Sequence, residues 1–190
     1  MSSVAEVLAL VDPRVRDRVH AEYVARPRAG KPLGPRVVLV GHRAAGKSTL
    51  LPAVAKLLGR RALDLDAEIE RALGQPIREV FREDVRRFRA VEREVYQRLP
   101  RGTVVAAGGG FLALHADLLG EDTAVLVPVS FETYRERLMA DASRPRLRPE
   151  LSVEEELRAV YDEREAIHQR LGSRAMSLAE LLALSGARPR

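Results

Sequence analysis

The spacing of apolar residues changes several times along the chain, and each change marks an element. Val4, Val7, Leu8, Val11, Val15 and Val19 recur at three- and four-residue intervals. This predicts one or two amphipathic helices over residues 3–24, broken at Asp12-Pro13. Residues 25–35 hold Pro27, Gly30, Pro32, Gly34 and Pro35 and read as a linker. A short β-branched run at 36–40 predicts a buried strand. A loop at 41–48 and a helix to about Leu58 follow, with Pro52 placed to bend the helix. Further strands are expected at 62–65, 103–106 and 124–127. Helices are expected at 66–73 (ended by Gly74), 77–99 (one or two), 113–119, 131–140, 152–171 and 177–184. Ser152 and Glu155 form a capping-box pattern at the start of the longest one. Strands alternating with helices indicate an α/β chain with a parallel sheet and helices on both faces, a three-layer αβα arrangement. The expected division is a helical extension and linker over residues 1–34 and one domain over 35–190.

Composition narrows the picture. The chain has 190 residues, nearly half apolar, with no cysteine and no tryptophan. Disulfides and thiolate chemistry are therefore excluded, which suits a reducing, cytoplasmic setting. No apolar run approaches a membrane span, and residues 1–9 lack the features of a signal peptide. The net charge is +5, carried by 29 Arg and 3 Lys. Arg alternates with Glu and Asp along the expected helices, and no basic block carries stacking aromatics, so nucleic acid is not an expected partner.

The chemistry begins at Gly41-His42-Arg43-Ala44-Ala45-Gly46-Lys47-Ser48. A strand, then Gly-x-x-x-x-Gly-Lys-Ser, then a helix is a P-loop: backbone amides and a helix N-terminus surround phosphates. Gly41 and Gly46 allow close approach, Lys47 reaches the outer phosphates and Ser48 offers a hydroxyl to Mg²⁺. Ala44, Ala45 and Thr49 complete the nucleotide-binding segment. The alternative for these residues is a structural glycine turn with a surface lysine.

Further motifs follow in order: Asp64-Leu65-Asp66 with Ile69-Glu70, Phe88-Arg89 with Glu92, Gly108-Gly109-Gly110, Arg144-Pro145, and Arg164 late in the long helix. Together with the P-loop they make the chain resemble shikimate kinases, over about residues 36–170. The resemblance implies a P-loop NTPase-type fold like that of nucleoside monophosphate kinases, with a lid near residues 141–152. It implies transfer of a phosphoryl group from ATP, with Mg²⁺, to the 3-hydroxyl of shikimate. By the same resemblance Lys47, Asp66 and Arg144 are catalytic, and Arg137 and Arg144 contact the nucleotide. Asp66, Arg89, Gly108, Gly109, Gly110 and Arg164 hold substrate, and Ser48 and Asp64 serve the metal. Arg suits a substrate carboxylate because its planar fork makes paired hydrogen bonds. Glu92, three residues after Arg89, is placed to fix its rotamer. Alternative readings of single residues remain: Asp64 and Asp66 as a helix cap and a surface acid, Phe81 and Phe88 as core or pocket wall.

The chain departs from the family pattern at Ala44 (usually Gly), Asp84-Val85 (usually Gly-Glu), Ala107 (usually Thr) and His168 (usually Tyr), and in a shortened C-terminal segment. Ala44 requires a negative φ to be comfortable, and the last strand is expected to be very short or lost. His168 is expected to be a packed or exposed helix residue rather than a catalytic one. Competing functions are a kinase of another polyol acid (aminoshikimate, quinate or gluconate) and a metabolite-binding regulatory module without activity. The N-terminal extension is a candidate surface for docking or for homo-oligomer formation.

Overall fold

The computed structural model describes residues 3–27, 32–141 and 146–185. Five strands, β1 (Arg36–Val40), β2 (Arg61–Asp64), β3 (Thr103–Ala106), β4 (Thr123–Leu126) and β5 (Ala175–Ser177), form one parallel sheet in the order β2-β3-β1-β4-β5. β1 lies at its centre, with Val38 paired to Val105 of β3 on one side and to Ala124 of β4 on the other. Successive side chains of a strand face opposite ways, and this makes the layers. Val37 and Leu39 enter one hydrophobic cluster and Val38 and Val40 the other, all with no exposed surface. Helices cover both faces.

The first face packs against α1 (Val4–Leu10), α2 (Pro13–Ala25), α3 (Lys47–Leu58), α8 (Phe131–Ala140), α9 (Val153–Leu171) and α10 (Leu178–Ser185). The second packs against α4 (Leu65–Leu73), α5 (Ile77–Glu83), α6 (Val85–Arg98) and α7 (Phe111–His115). Among the described residues, no helix is long and apolar enough to cross a membrane.

Some element limits differ from expectation, and others follow it. β2 ends at Asp64, one residue early, because the Asp64 carboxylate caps α4 by accepting from Asp66 N–H and Ala67 N–H. Asp66 lies in the first turn of α4, within the helix expected from residue 66. The helix expected at 113–119 starts at Phe111 and tightens into a 3-10 turn over Ala116–Leu119. The C-terminal strand is present: β5 has three residues, and its Met176 pairs with Val125 of β4. Pro52 does not interrupt α3.

The N-terminal helices dock on the rest of the chain. Val7, Val11, Val15 and Val19 lie in the same cluster as Leu50, Leu181 and Leu182. Asp12 is the anchor: it is buried, caps α2 through Arg14 N–H, and accepts from Ser130 N–H (2.8 Å) and Thr133 Oγ (2.8 Å) at the start of α8. Burial pushes the Asp12 carboxyl up, but the N–H donors of Ser130 and Arg14 with the Thr133 hydroxyl outweigh it, and the net pKa lies below the ordinary value. Arg14 adds a two-pronged contact to Glu136, each bond 2.8 Å.

Candidate active site

The loop between β1 and α3 turns on two glycines. Gly41 has φ +136°, and a Cβ there would stand 2.8 Å from the Val127 carbonyl oxygen. Gly46 has φ +87° and precedes the first turn of α3. Ala44 also sits in the left-handed region, at φ 55°. The expected negative φ is thus corrected: the loop keeps a glycine-like turn at Ala44 and carries the strain of a Cβ there.

Lys47 folds back over the loop, its Nζ donating to the carbonyls of Gly41 (3.1 Å) and His42 (2.5 Å). The Ser48 hydroxyl donates to Asp64 Oδ2 at 2.6 Å, while Asp64 Oδ1 caps α4. Asp64 is thus a helix cap that also faces the phosphate loop. Ser48 and Asp64 present hard oxygen donors side by side, the kind Mg²⁺ selects. Arg137 of α8 reaches across to donate to Ala44 O at 2.7 Å. These residues, with Ala45, Thr49, Asp66, Ala107, Gly108 and Gly109, line a cavity of about 340 Å³.

A second cavity of about 500 Å³ opens beside it and is lined by Asp66, Phe81, Phe88, Arg89, Glu92, Gly108 to Gly110 and Arg164. Asp84 caps α6 through Arg87 N–H, setting the turn that carries Phe88 and Arg89 into this cavity. Glu92 holds Arg89 as expected: Arg89 Nη1 donates to Glu92 Oε2 at 2.6 Å, and His115 Nε2 lies 3.1 Å from the same oxygen. Phe81 and Phe88 wall the pocket, and the Arg89 guanidinium lies over the Phe88 ring at 4.7 Å. Phe88 is also core, so both readings apply to it.

Gly109 must lack a side chain. A Cβ there would stand 2.7 Å from Arg43 Cγ and 2.9 Å from Arg164 Nη1. The Arg164 Nη1 is enclosed and has no hydrogen-bond partner among the described residues. Burial first, and then the charges of Arg43 and Arg89, push its pKa down to about 10. A buried cation short of partners is costly unless an anion arrives to meet it.

Behind the phosphate loop, His42 stacks on Tyr161 with ring centroids 4.1 Å apart, and its Nε2 lies 3.0 Å from Glu165 Oε2. His168 packs edge-on against His42. Burial, then Arg164 and Lys47, lower His42 to about 3. His168 is also pushed down, again mainly by burial. It is packed and neutral. His42, Glu165 and His168 are close enough to surround a metal ion. The charges of Lys47 and Arg164 that hold His42 neutral would equally oppose a divalent cation there, so the cluster is read as a brace between the loop and α9.

Sequence reasoning missed His42 and Arg43 because they occupy the unspecified positions of the loop motif. It also missed Glu70, Pro76, Ile77, Arg78 and Leu147, which line the second cavity. Arg144 and Pro145 lie outside the described residues. Within the span expected to form a lid, Arg146 is held by Glu156 (2.6 Å) and Arg148 pairs with Glu163.

The family model for shikimate kinase matches residues 43–181. The shikimate kinase of Thermobifida fusca is 38% identical over 152 residues, which cover 77% of this chain and 87% of that protein. The chain belongs to the shikimate kinase family. Another relative is the shikimate kinase of Mycobacterium avium, 34% identical over 144 residues, or 73% of this chain and 81% of the relative. The shikimate kinase from Acinetobacter baumannii, solved in complex with shikimate, superimposes with a TM-score of 0.66 at 29% identity, covering 80% of this chain and 89% of that one. The enzyme from Aquifex aeolicus gives a TM-score of 0.61 at 25% identity, covering 81% and 88%. The sheet and its flanking helices are thus the P-loop kinase fold of the family, and the chain is an ATP-dependent kinase.

Proposed function

We propose that this chain transfers the γ-phosphoryl group of ATP to the 3-hydroxyl of shikimate, giving ADP and shikimate 3-phosphate. The observation that carries the proposal is the buried Arg164 Nη1, without a hydrogen-bond partner among the described residues, beside Arg89, in a cavity that shares Asp66 with the phosphate-loop cavity. A ligand with a carboxylate at one end and a hydroxyl at the other fits that layout. Its carboxylate meets Arg89 and Arg164, and its hydroxyl lies at Asp66, facing the phosphates.

In the reaction the hydroxyl oxygen forms a bond to the γ-phosphorus while the bond from that phosphorus to the β,γ-bridging oxygen breaks. The electron pair leaves on ADP, and the hydroxyl proton passes to the Asp66 carboxylate. Such a transfer depends on positioning and charge stabilisation more than on a strong base. The amides of Ala44, Ala45 and Gly46 hold the phosphates, with Thr49 beside them. Lys47 leaves the loop carbonyls for the outer phosphate oxygens, and Gly108 to Gly110 let the acceptor ring approach the backbone. Arg137 lies over the loop on the nucleotide side, and Arg144 is assigned to the lid on the likeness to the family. Ser48 and Asp64 would hold Mg²⁺, which neutralises phosphate charge when bound.

The test is ADP release from MgATP with shikimate, quinate, aminoshikimate or gluconate as acceptor. Turnover is expected with shikimate. Turnover with gluconate alone would overturn the acceptor assignment, and binding without any turnover would favour a regulatory module.

A further inference from the structure

Arg43 occupies a position the loop motif leaves open, and the fold puts it where two cavities meet. The nucleotide cavity and the acceptor cavity share Arg43, Asp66, Gly108 and Gly109 among their lining residues, and Arg43 alone among the four is a cation. Its seat is built: the backbone and Cγ of Arg43 press against Gly109, where any side chain would collide with them at 2.7 Å. The residue that follows, Ala44, holds a left-handed φ of 55°. The charge of Arg43 also reaches the acceptor side, where, after burial, it helps to lower Arg164.

We propose that Arg43 is a catalytic residue whose guanidinium contacts the transferring phosphoryl group from the acceptor side. The inference deepens the kinase reading above and rests on it. Negative charge in the transition state spreads over the three equatorial oxygens of that group. Lys47 meets it from the loop side. Arg43, carried by the same loop, meets it at the mouth of the acceptor cavity with a planar fork suited to two oxygens at once. Arg89 and Arg164 do not line the nucleotide cavity and are left to the acceptor's carboxylate.

Two variants and two measurements test this. Arg43→Met removes the cation and keeps the stem; Arg43→Lys keeps the charge and removes the fork. Steady-state kinetics with MgATP and shikimate should show kcat lowered on the order of 100-fold in R43M. The KM for each substrate should stay within about threefold, and R43K should recover part of the loss. The second measurement is the affinity for MgADP with and without aluminium fluoride, a mimic of the transferring group. Wild type should bind the aluminium fluoride complex more tightly than MgADP, and R43M should lose that difference while keeping its MgADP affinity. A kcat within about threefold of wild type, or a loss confined to the KM for shikimate, overturns the proposal; the latter result makes Arg43 a carboxylate ligand. The aluminium fluoride comparison needs no acceptor. It therefore judges Arg43 even if wild type fails to turn over shikimate, which would sink the kinase reading separately.

Discussion

Replacing Arg164 with Met should move stability and substrate affinity in opposite directions. The guanidinium is held at a pKa of about 10, well below the ordinary arginine range, with burial the main cause. At about 1.4 kcal/mol for each tenfold change in an acidity constant, its charge costs the substrate-free fold roughly 3 kcal/mol. Methionine keeps an apolar stem and removes the charge. Partial solvent access and lost contacts offset some of the gain, leaving a net stabilisation of about 1–2 kcal/mol, or roughly 3–8 °C in melting temperature for a chain of this size. Affinity should move the other way. Losing one partner of a buried, charge-assisted contact costs about 2–4 kcal/mol, which raises the KM for shikimate roughly 30- to 1000-fold. Thermal melts of the substrate-free protein and steady-state kinetics read the two effects separately. A lower melting temperature in the variant, or an unchanged KM for shikimate, would refute the view of Arg164 as a cation awaiting a carboxylate.

Other consequences follow from the same contacts. Asp66→Asn and Lys47→Met should each lower kcat by at least about 100-fold in an ADP-release assay, and a near-wild-type rate in either contradicts its role. His42 is held near 3 in the fold against 6.5 outside it, so the folded state binds fewer protons. Its contribution to stability is whole above pH 6.5 and falls as pH drops toward 3, by up to about 1.4 kcal/mol per pH step of one. Urea titrations across that window should show a shallower fall in His42→Phe, and identical slopes would contradict the assignment. Asp12→Ala should destabilise the chain by about 1–3 kcal/mol, because it strips partners from Ser130 N–H and Thr133 Oγ. An unchanged denaturation midpoint would show that the anchor carries no weight.

How much of this was legible in the sequence depended on whether the signal was local. β1 and β3 are β-branched runs closed by glycine or proline, and their limits were read to the residue. The end of β2 was misplaced because the Asp64 side chain turns back to cap α4, a choice that strand propensity does not register. Arg89 and Glu92 are one helical turn apart, so their pairing could be read from spacing. The docking of the N-terminal helices could not, because Asp12 meets partners 118 and 121 residues away. Ala44 shows the limit of residue preference: the phosphate loop demands a left-handed turn there, and the fold imposes it on an alanine. His42 and Arg43 stand at open motif positions, and their neighbours come from distant parts of the chain: Tyr134, Tyr161, Glu165 and His168 for His42, and Gly109 for Arg43.

In the proposed reaction one cavity presents a hydroxyl of a carboxylate-bearing acceptor to the phosphates held in the other. The most direct measurement is a phosphorus-31 NMR spectrum of a reaction mixture of the protein, MgATP and shikimate. The expected result is loss of the γ-phosphate signal, growth of ADP, and a new phosphomonoester signal coupled to the proton on shikimate carbon 3. Inorganic phosphate as the sole new signal, or a phosphomonoester on another hydroxyl, would contradict it.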